Sequence, residues 1–169
     1  PQTLGLTSSL LAEHGFAHAF FTREGGASLP PFDSLSFSES VGDSADAVRT
    51  NLRLAAAALG VASEQVYFLN QVHGVASHVL DGQLDRDEVM RLDGDVTLSR
   101  VPGVACGVRT ADCVPVLLAH PSTGAVAAAH AGWRGTVAGV VAAAAAALRQ
   151  LVHAADGATD TRLIAAVGP

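Results

Sequence analysis

The stretch that most constrains the fold runs from Thr110 to Thr136, where two apolar runs, Val114 to His120 and Ala125 to Ala129, are joined by Pro121-Ser122-Thr123-Gly124. Pro and Gly bounding a short link are turn chemistry, with Gly at the last position that a type I turn favours, so the segment is predicted to be a β-hairpin. With Pro121 and Gly124 as the turn ends, Pro115 faces His130 and Cys113 faces Gly132. Cys113 and His130 then lie diagonally on one face, about 7–8 Å apart at Cα. A slip of one residue would put them on opposite faces. Pro115 has no N–H to give to a ladder, so its strand must be an edge, be bulged, or be near its start at that point.

A thiolate with a neutral imidazole suits zinc or copper, and tetrahedral zinc needs at least one more protein ligand. His73 is the best remaining donor. It sits in Asn70-Gln71-Val72-His73-Gly74, directly after the strand-like Gln65-Val66-Tyr67-Phe68-Leu69, where a side chain can point into a cleft. Three protein ligands leave a fourth position open, the mark of a catalytic site. The spacings of forty and seventeen residues match no compact metal motif. Buried cysteines and core histidines are common, so the residues alone leave ordinary packing open as well.

Ordered blocks along nearly the whole chain resemble one family. They are Phe20-Phe21-Thr22-Arg23-Glu24-Gly25-Gly26-Ala27-Ser28, Gly42-Asp43 leading to Asn51, the His73 block, Asp93-Gly94-Asp95-Val96-Thr97, Thr110-Ala111-Asp112-Cys113-Val114-Pro115, His130-Ala131-Gly132-Trp133-Arg134-Gly135 and Ala166-Val167-Gly168-Pro169. The family is that of the YfiH-like proteins, long labelled multicopper polyphenol oxidoreductases or laccase-domain proteins and later zinc-dependent purine nucleoside phosphorylases. The resemblance implies metal ligands at His73, Cys113 and His130, the three reached above from ligand chemistry. It also implies an α/β (α+β) fold, layered α/β/β/α with mixed sheets, the YfiH-like cysteine hydrolase fold. Two departures stand out. The family has Asn-Arg in the helix after Gly-Asp, whereas this chain reads Asn51-Leu52-Arg53, which turns the arginine about 100° further round the helix. The chain also stops at Gly168-Pro169, where the family continues, so residues 1–169 are expected to be a single YfiH-like domain lacking its C-terminal third.

A length of 169 residues with 49% apolar content is ample for one core. The net charge of −6 and the lack of a basic run argue against a nucleic-acid surface. The alanine-rich Val137 to Val152 is too weakly hydrophobic for a membrane span. The N-terminus has no basic n-region, and the two cysteines, Cys106 and Cys113, are read as reduced thiols rather than a disulfide, so a cytoplasmic setting is expected. All ten basic residues are arginine. Without lysine, no Schiff base can form with a substrate carbonyl.

Phe16 to Phe21 reads as a strand and Ser44 to Leu59 as a helix, with Ser44 at its N-cap, Asp46 in its first turn and Gly60 just past its end. Tyr67 to Leu69, Val75 to Leu80, Val96 to Leu98 and Val104 to Val108 read as strands, as does Leu163 to Val167. Asp81 to Leu92 reads as a loop or short helix, and Thr136 to Val152 as one long helix. Strands mixed with helices and an antiparallel hairpin fit an α/β or α+β domain.

Further candidates flank the three ligands. Arg134 and the start of the helix after it offer a charged fork and free N–H groups to a phosphate, the alternative being that Gly132 and Gly135 only make a tight turn. Arg109 is read as binding an oxyanion or pairing with Asp112, and Asp112 as orienting a ligand imidazole. Arg53 and Gln71 complete the candidate phosphate- and substrate-binding set. The function that the resemblance implies is zinc-dependent phosphorolysis of adenosine, inosine or methylthioadenosine, with adenosine deamination. The partners are then a small nucleoside and phosphate. Two alternatives are kept: copper-dependent oxidation of polyphenols, and hydrolysis by a Cys113–His130 pair in peptidoglycan editing.

Overall fold

The computed structural model of the protein describes residues 4–156 and 160–169. In chain order the elements are β1 (Gly5–Leu6), α1 (Ser9–Glu13), β2 (Phe20–Phe21), α2 (Ala45–Leu59), β3 (Val66–Tyr67), β4 (Ser77–Val79), α3 (Arg86–Val89), β5 (Val96–Ser99), β6 (Ala105–Cys106), β7 (Val114–Ala119), β8 (Val126–Ala131), α4 (Trp133–Ala138), α5 (Val140–Asp156) and β9 (Ile164–Val167).

The hairpin forms the middle of a five-stranded sheet ordered β4-β5-β8-β7-β9. Its register pairs Pro115 with His130, as the turn chemistry requires. Pro115 avoids breaking the ladder by sitting at the start of β7: pairing with β9 begins one residue later, at Val116 opposite Val167. The sheet is mixed, because β4 and β5 run parallel while the other pairs are antiparallel.

Burial explains the layers. Along α5, Val140, Ala144, Leu148 and Val152 recur every four residues and meet Val96, Leu98, Val116, Leu118, Ala127 and Ala129 of the sheet. On the other side, α2 sets Val48, Leu52 and Ala56 against Val66 and Phe68 around the small parallel sheet of β3 and β6. The order α5, large sheet, small sheet, α2 is the expected α/β/β/α layering with mixed sheets.

Three expectations are corrected. The first strand shrinks to Phe20–Phe21, because the His18 ring bonds the Phe16 carbonyl and the Ser8 amide and makes residues 16–19 a loop. The small sheet's strands are shorter than their apolar runs, at two residues each. The long helix starts at Trp133 rather than Thr136 and is broken at Gly139, whose φ of 85° is left-handed and ends α4 before α5 begins. The helix α2 matches its prediction, with Gly60 as a left-handed cap, although the Ser44 side chain makes no capping bond. No helix among the described residues is long and apolar enough to cross a membrane.

Candidate metal centre

His130 lies near the C-terminal end of β8, almost fully buried, and Cys113 lies in the bend just before β7. The hairpin register brings them to the same end of the sheet. His73 reaches them from the turn between β3 and β4. Its φ of 61° is the one positive value at a non-glycine position among the described residues. A left-handed conformation there costs on the order of 1–3 kcal/mol and persists only when the surroundings enforce it.

Asp95 enforces it. This carboxylate, fully buried just before β5, accepts the backbone N–H groups of Val72 (3.3 Å), His73 (3.0 Å) and Gly74 (2.7 Å). The same carboxylate accepts Nδ1–H of His130 at 2.8 Å, and the Asp95 carbonyl accepts the His130 amide. Burial alone would raise the pKa of Asp95 and is the largest single influence. The hydrogen bonds from His130 and the three amides together outweigh it and hold the carboxyl below its ordinary value. Because a carboxylate only accepts, the proton of His130 sits on Nδ1, and Nε2 keeps its lone pair for a ligand.

His73, Cys113 and His130 thereby converge, with their ligand atoms all within 4.8 Å of one another. The Cys113 sulfur is 3.8 Å from His73 Nε2, and the two imidazoles meet edge to face at 4.8 Å between centroids. Ligand atoms on a tetrahedral zinc ion stand roughly 3.3–3.8 Å apart, so small side-chain shifts would close the set. Gly132 makes room for it: a Cβ there would lie 2.6 Å from His73 Cδ2 and 3.1 Å from the Cys113 sulfur. Soft sulfur, two imidazoles and one side left open fit a divalent transition metal.

The family described as multi-copper polyphenol oxidoreductase laccase matches residues 17–169. This chain belongs to that laccase-domain family. A relative from Streptomyces coelicolor named purine nucleoside phosphorylase is 47% identical over 154 residues, 90% of this chain and 61% of the relative. YfiH of Escherichia coli, under the same enzyme name, is 43% identical over 127 residues, 75% of this chain and 50% of the relative. Among solved structures, YlmD from Geobacillus stearothermophilus superposes with a TM-score of 0.74 at 33% identity, over 88% of this chain and 56% of that one. The hypothetical protein YfiH from Bacillus licheniformis gives 0.75 at 30% identity, over 89% and 57%. The chain thus spans 61% or less of each of these proteins.

The remaining candidates of this laccase-domain protein are placed less uniformly. Asp112 does not orient an imidazole, since Asp95 holds that position. It lies 3.9 Å from the Cys113 sulfur and, after burial, is the main influence raising that thiol's pKa. Arg109 does not pair with Asp112. Its guanidinium turns inward, donating to the carbonyls of Leu69 (3.2 Å) and Phe37 (3.5 Å) and lying over the Phe68 ring. Gln71 is likewise engaged, bridging the Arg109 amide and carbonyl at 2.7 Å each. Arg53 is exposed on α2 and lines a separate cleft with Arg49, Glu64 and Arg86. Arg134 stays in solvent, its guanidinium 5.3 Å from the centroid of the exposed Trp133 ring. The six-residue α4 beside it is too short to add much dipole. Both cysteines are free, so no disulfide links them. Asp95, which the residues alone did not single out, had only its Asp-Gly-Asp block as a signal.

Proposed function

We propose that this protein is a zinc-dependent purine nucleoside phosphorylase for adenosine, inosine and methylthioadenosine, with adenosine deaminase activity. The observation that carries this reading is the open His73–Cys113–His130 set, with ligand atoms within 4.8 Å, in a chain whose relatives bear that enzyme name. His73, the Cys113 sulfur and Nε2 of His130 would hold zinc, which when bound supplies Lewis acidity and an activated water. Arg134, exposed and free of any carboxylate partner among the described residues, would offer its fork to phosphate. Phosphorolysis forms a bond from a phosphate oxygen to C1′ and breaks C1′–N, releasing the base and ribose 1-phosphate. Positioning by the protein supplies most of what such a displacement needs. Asp95 keeps Nδ1 of His130 protonated, and the Gly132 backbone keeps the space beside His73 and Cys113 clear.

Copper-dependent oxidation of polyphenols is the second reading, favoured by the family description. Two histidines and a cysteine resemble a blue-copper set, but a laccase also needs a separate multi-histidine copper cluster. Among the described residues, His73, Cys113 and His130 are the only converging group of three such ligands.

The deciding experiment assays the purified protein with adenosine, with and without phosphate, before and after chelation and zinc return. Adenine and ribose 1-phosphate formed only with phosphate and zinc support the proposal. Oxygen uptake with a phenol, restored by copper alone, supports the second reading. Activity that survives chelation marks a metal-free Cys113 hydrolase instead. Arg134→Ala should raise KM for phosphate about tenfold or more, a loss near the 1.4 kcal/mol of one charge-assisted contact, and leave deamination intact.

A further inference from the structure

Resting on the proposed metal site, we infer that Asp95 is a positioning residue that holds His73 and His130 as one unit, so that the metal-binding geometry exists before any metal enters. Two of the three ligands hang on its carboxylate. Oδ1 accepts both the His73 amide and Nδ1–H of His130, at 3.0 and 2.8 Å. Oδ2 accepts Val72 and Gly74, which flank His73. One side chain therefore fixes the left-handed backbone that aims His73 inward, the ring plane of His130 and the nitrogen that His130 presents.

The backbone adds to this. The Asp95 amide donates to the Ala76 carbonyl at 3.0 Å, and its carbonyl receives the His130 amide at 2.8 Å. Asp95 thus joins the chain after the His73 turn on one side to β8 on the other. Its side chain is fully buried, and all four acceptances are made from within the protein. Cys113 belongs to neither attachment: its neighbours are His73 and Asp112. The site is accordingly a rigid pair of imidazoles, anchored at one carboxylate, with a thiol brought in separately by the start of β7.

The test is zinc affinity of the metal-free protein, measured by competition with a chromogenic chelator, for wild type, Asp95→Asn, His73→Ala and the double variant. Asp95→Asn should weaken zinc binding about 10–100-fold, the loss typical of removing a carboxylate behind a ligand imidazole. Because Asp95 acts through His73, the double variant should lose clearly less than the two single losses combined. Amide exchange at residues 72–74 should speed up in Asp95→Asn and stay slow in Cys113→Ala. Should Asp95→Asn fail to fold, Asp95→Glu, which keeps the charge but displaces it, serves the same comparison. Unchanged zinc affinity in a folded Asp95 variant, or losses that simply add, would overturn the inference while leaving the metal site standing. A wild-type protein that takes up no zinc would overturn both.

Discussion

Two buried polar side chains each tie a loop to the fold, and they do so with opposite chemistry. Asn51, on α2, is fully buried; its Oδ1 accepts the Ala27 amide at 2.7 Å, and its Nδ2 donates to the Ser36 carbonyl at 2.7 Å, the Ser28 hydroxyl and the Ser34 carbonyl. Asp95 is equally buried but only accepts, from three amides and an imidazole. A neutral amide matches a loop that presents both carbonyls and N–H groups. A carboxylate matches a turn that presents N–H groups alone, and its charge is stabilised by them. The difference separates shape from chemistry: Asn51 holds residues 26–36 in place without charge, whereas Asp95 places a negative charge directly behind two candidate metal ligands.

Exchanging the two chemistries should break the comparison most severely. Asn51→Asp removes the donor from the Ser34 and Ser36 carbonyls and sets a buried charge against them. At about 1–3 kcal/mol for each orphaned group, the variant should lose at least about 3 kcal/mol in urea unfolding. Any protein that remains folded should bind zinc like the wild type, because the hub touches neither His73 nor the hairpin. A variant that kept its stability but lost zinc would reverse the roles assigned to the two hubs.

The next largest effect comes from the glycine beside each hub. A Cβ at Gly26 would lie 2.1 Å from the Ser34 carbonyl oxygen and 2.6 Å from Asn51 Oδ1, so Gly26→Ala meets backbone that cannot move cheaply. At Gly132 the nearest atoms are instead the His73 ring and the Cys113 sulfur, both side chains. Gly132→Ala should therefore keep a near-normal melting temperature while zinc affinity falls about tenfold or more, as when a ligand's supporting contacts are lost. Gly26→Ala should show the reverse pattern, a lowered melting temperature with zinc affinity retained in the folded fraction.

These contrasts also explain what the sequence could reveal. The hairpin register was legible because Pro121 and Gly124 fix a turn locally, and with it the approach of Cys113 and His130. The helix α2 was legible from its apolar period and from Gly60. Asp95 was not, because its partners lie 21–23 residues before it and 35 after it, and an Asp-Gly-Asp string reads as an ordinary turn. The inward turn of Arg109 was hidden for a related reason. Spacing gives the position of Arg109 but not whether its long side chain turns outward to a phosphate or inward over Phe68. The break at Gly139 was hidden by the alanine run that follows, Ala142 to Ala147, whose strong helix propensity extends the helical reading back across it.

The two cysteines give a smaller, sharper measurement of the same divide. Burial pushes the Cys106 thiol up to about 12, the Thr97 hydroxyl only partly offsetting it. The Cys113 thiol is raised first by burial and then by the charge and hydrogen bonding of Asp112. In metal-free protein at pH 8, an alkylating reagent should modify both thiols slowly, and Cys106, whose thiol is pushed up to about 12, more slowly than Cys113. Asp112→Asn removes the acidic neighbour, lowers the Cys113 value toward the ordinary range, and should speed its alkylation several-fold. Added zinc should protect Cys113 in both proteins. Faster labelling of Cys106 than of Cys113 would contradict the stronger shift assigned to the Cys106 thiol.

The smallest effect is in the acid limb of stability, and it distinguishes a charged hub from a neutral one. The Asp95 carboxyl is held below its ordinary value of 3.8 in the folded protein, so folding favours its ionised form. The resulting stabilisation is fully present above the unfolded value and is lost as pH falls through the folded one, which confines it to the region below about pH 4. There Asp95 adds at most one proton's worth of slope, about 1.4 kcal/mol per pH unit. Asp95→Asn should flatten that limb relative to wild type, as well as lowering the whole curve. Asn51 does not titrate, so Asn51→Ala should lower stability by a constant amount across the same range and leave the slope unchanged. Urea midpoints measured between pH 2 and 7 for the three proteins check both statements. Parallel curves for Asp95→Asn and wild type would mean that the carboxylate is protonated, or equally ionised, in the folded and unfolded chains, and the charge assigned to the hub behind His73 and His130 would have to be withdrawn.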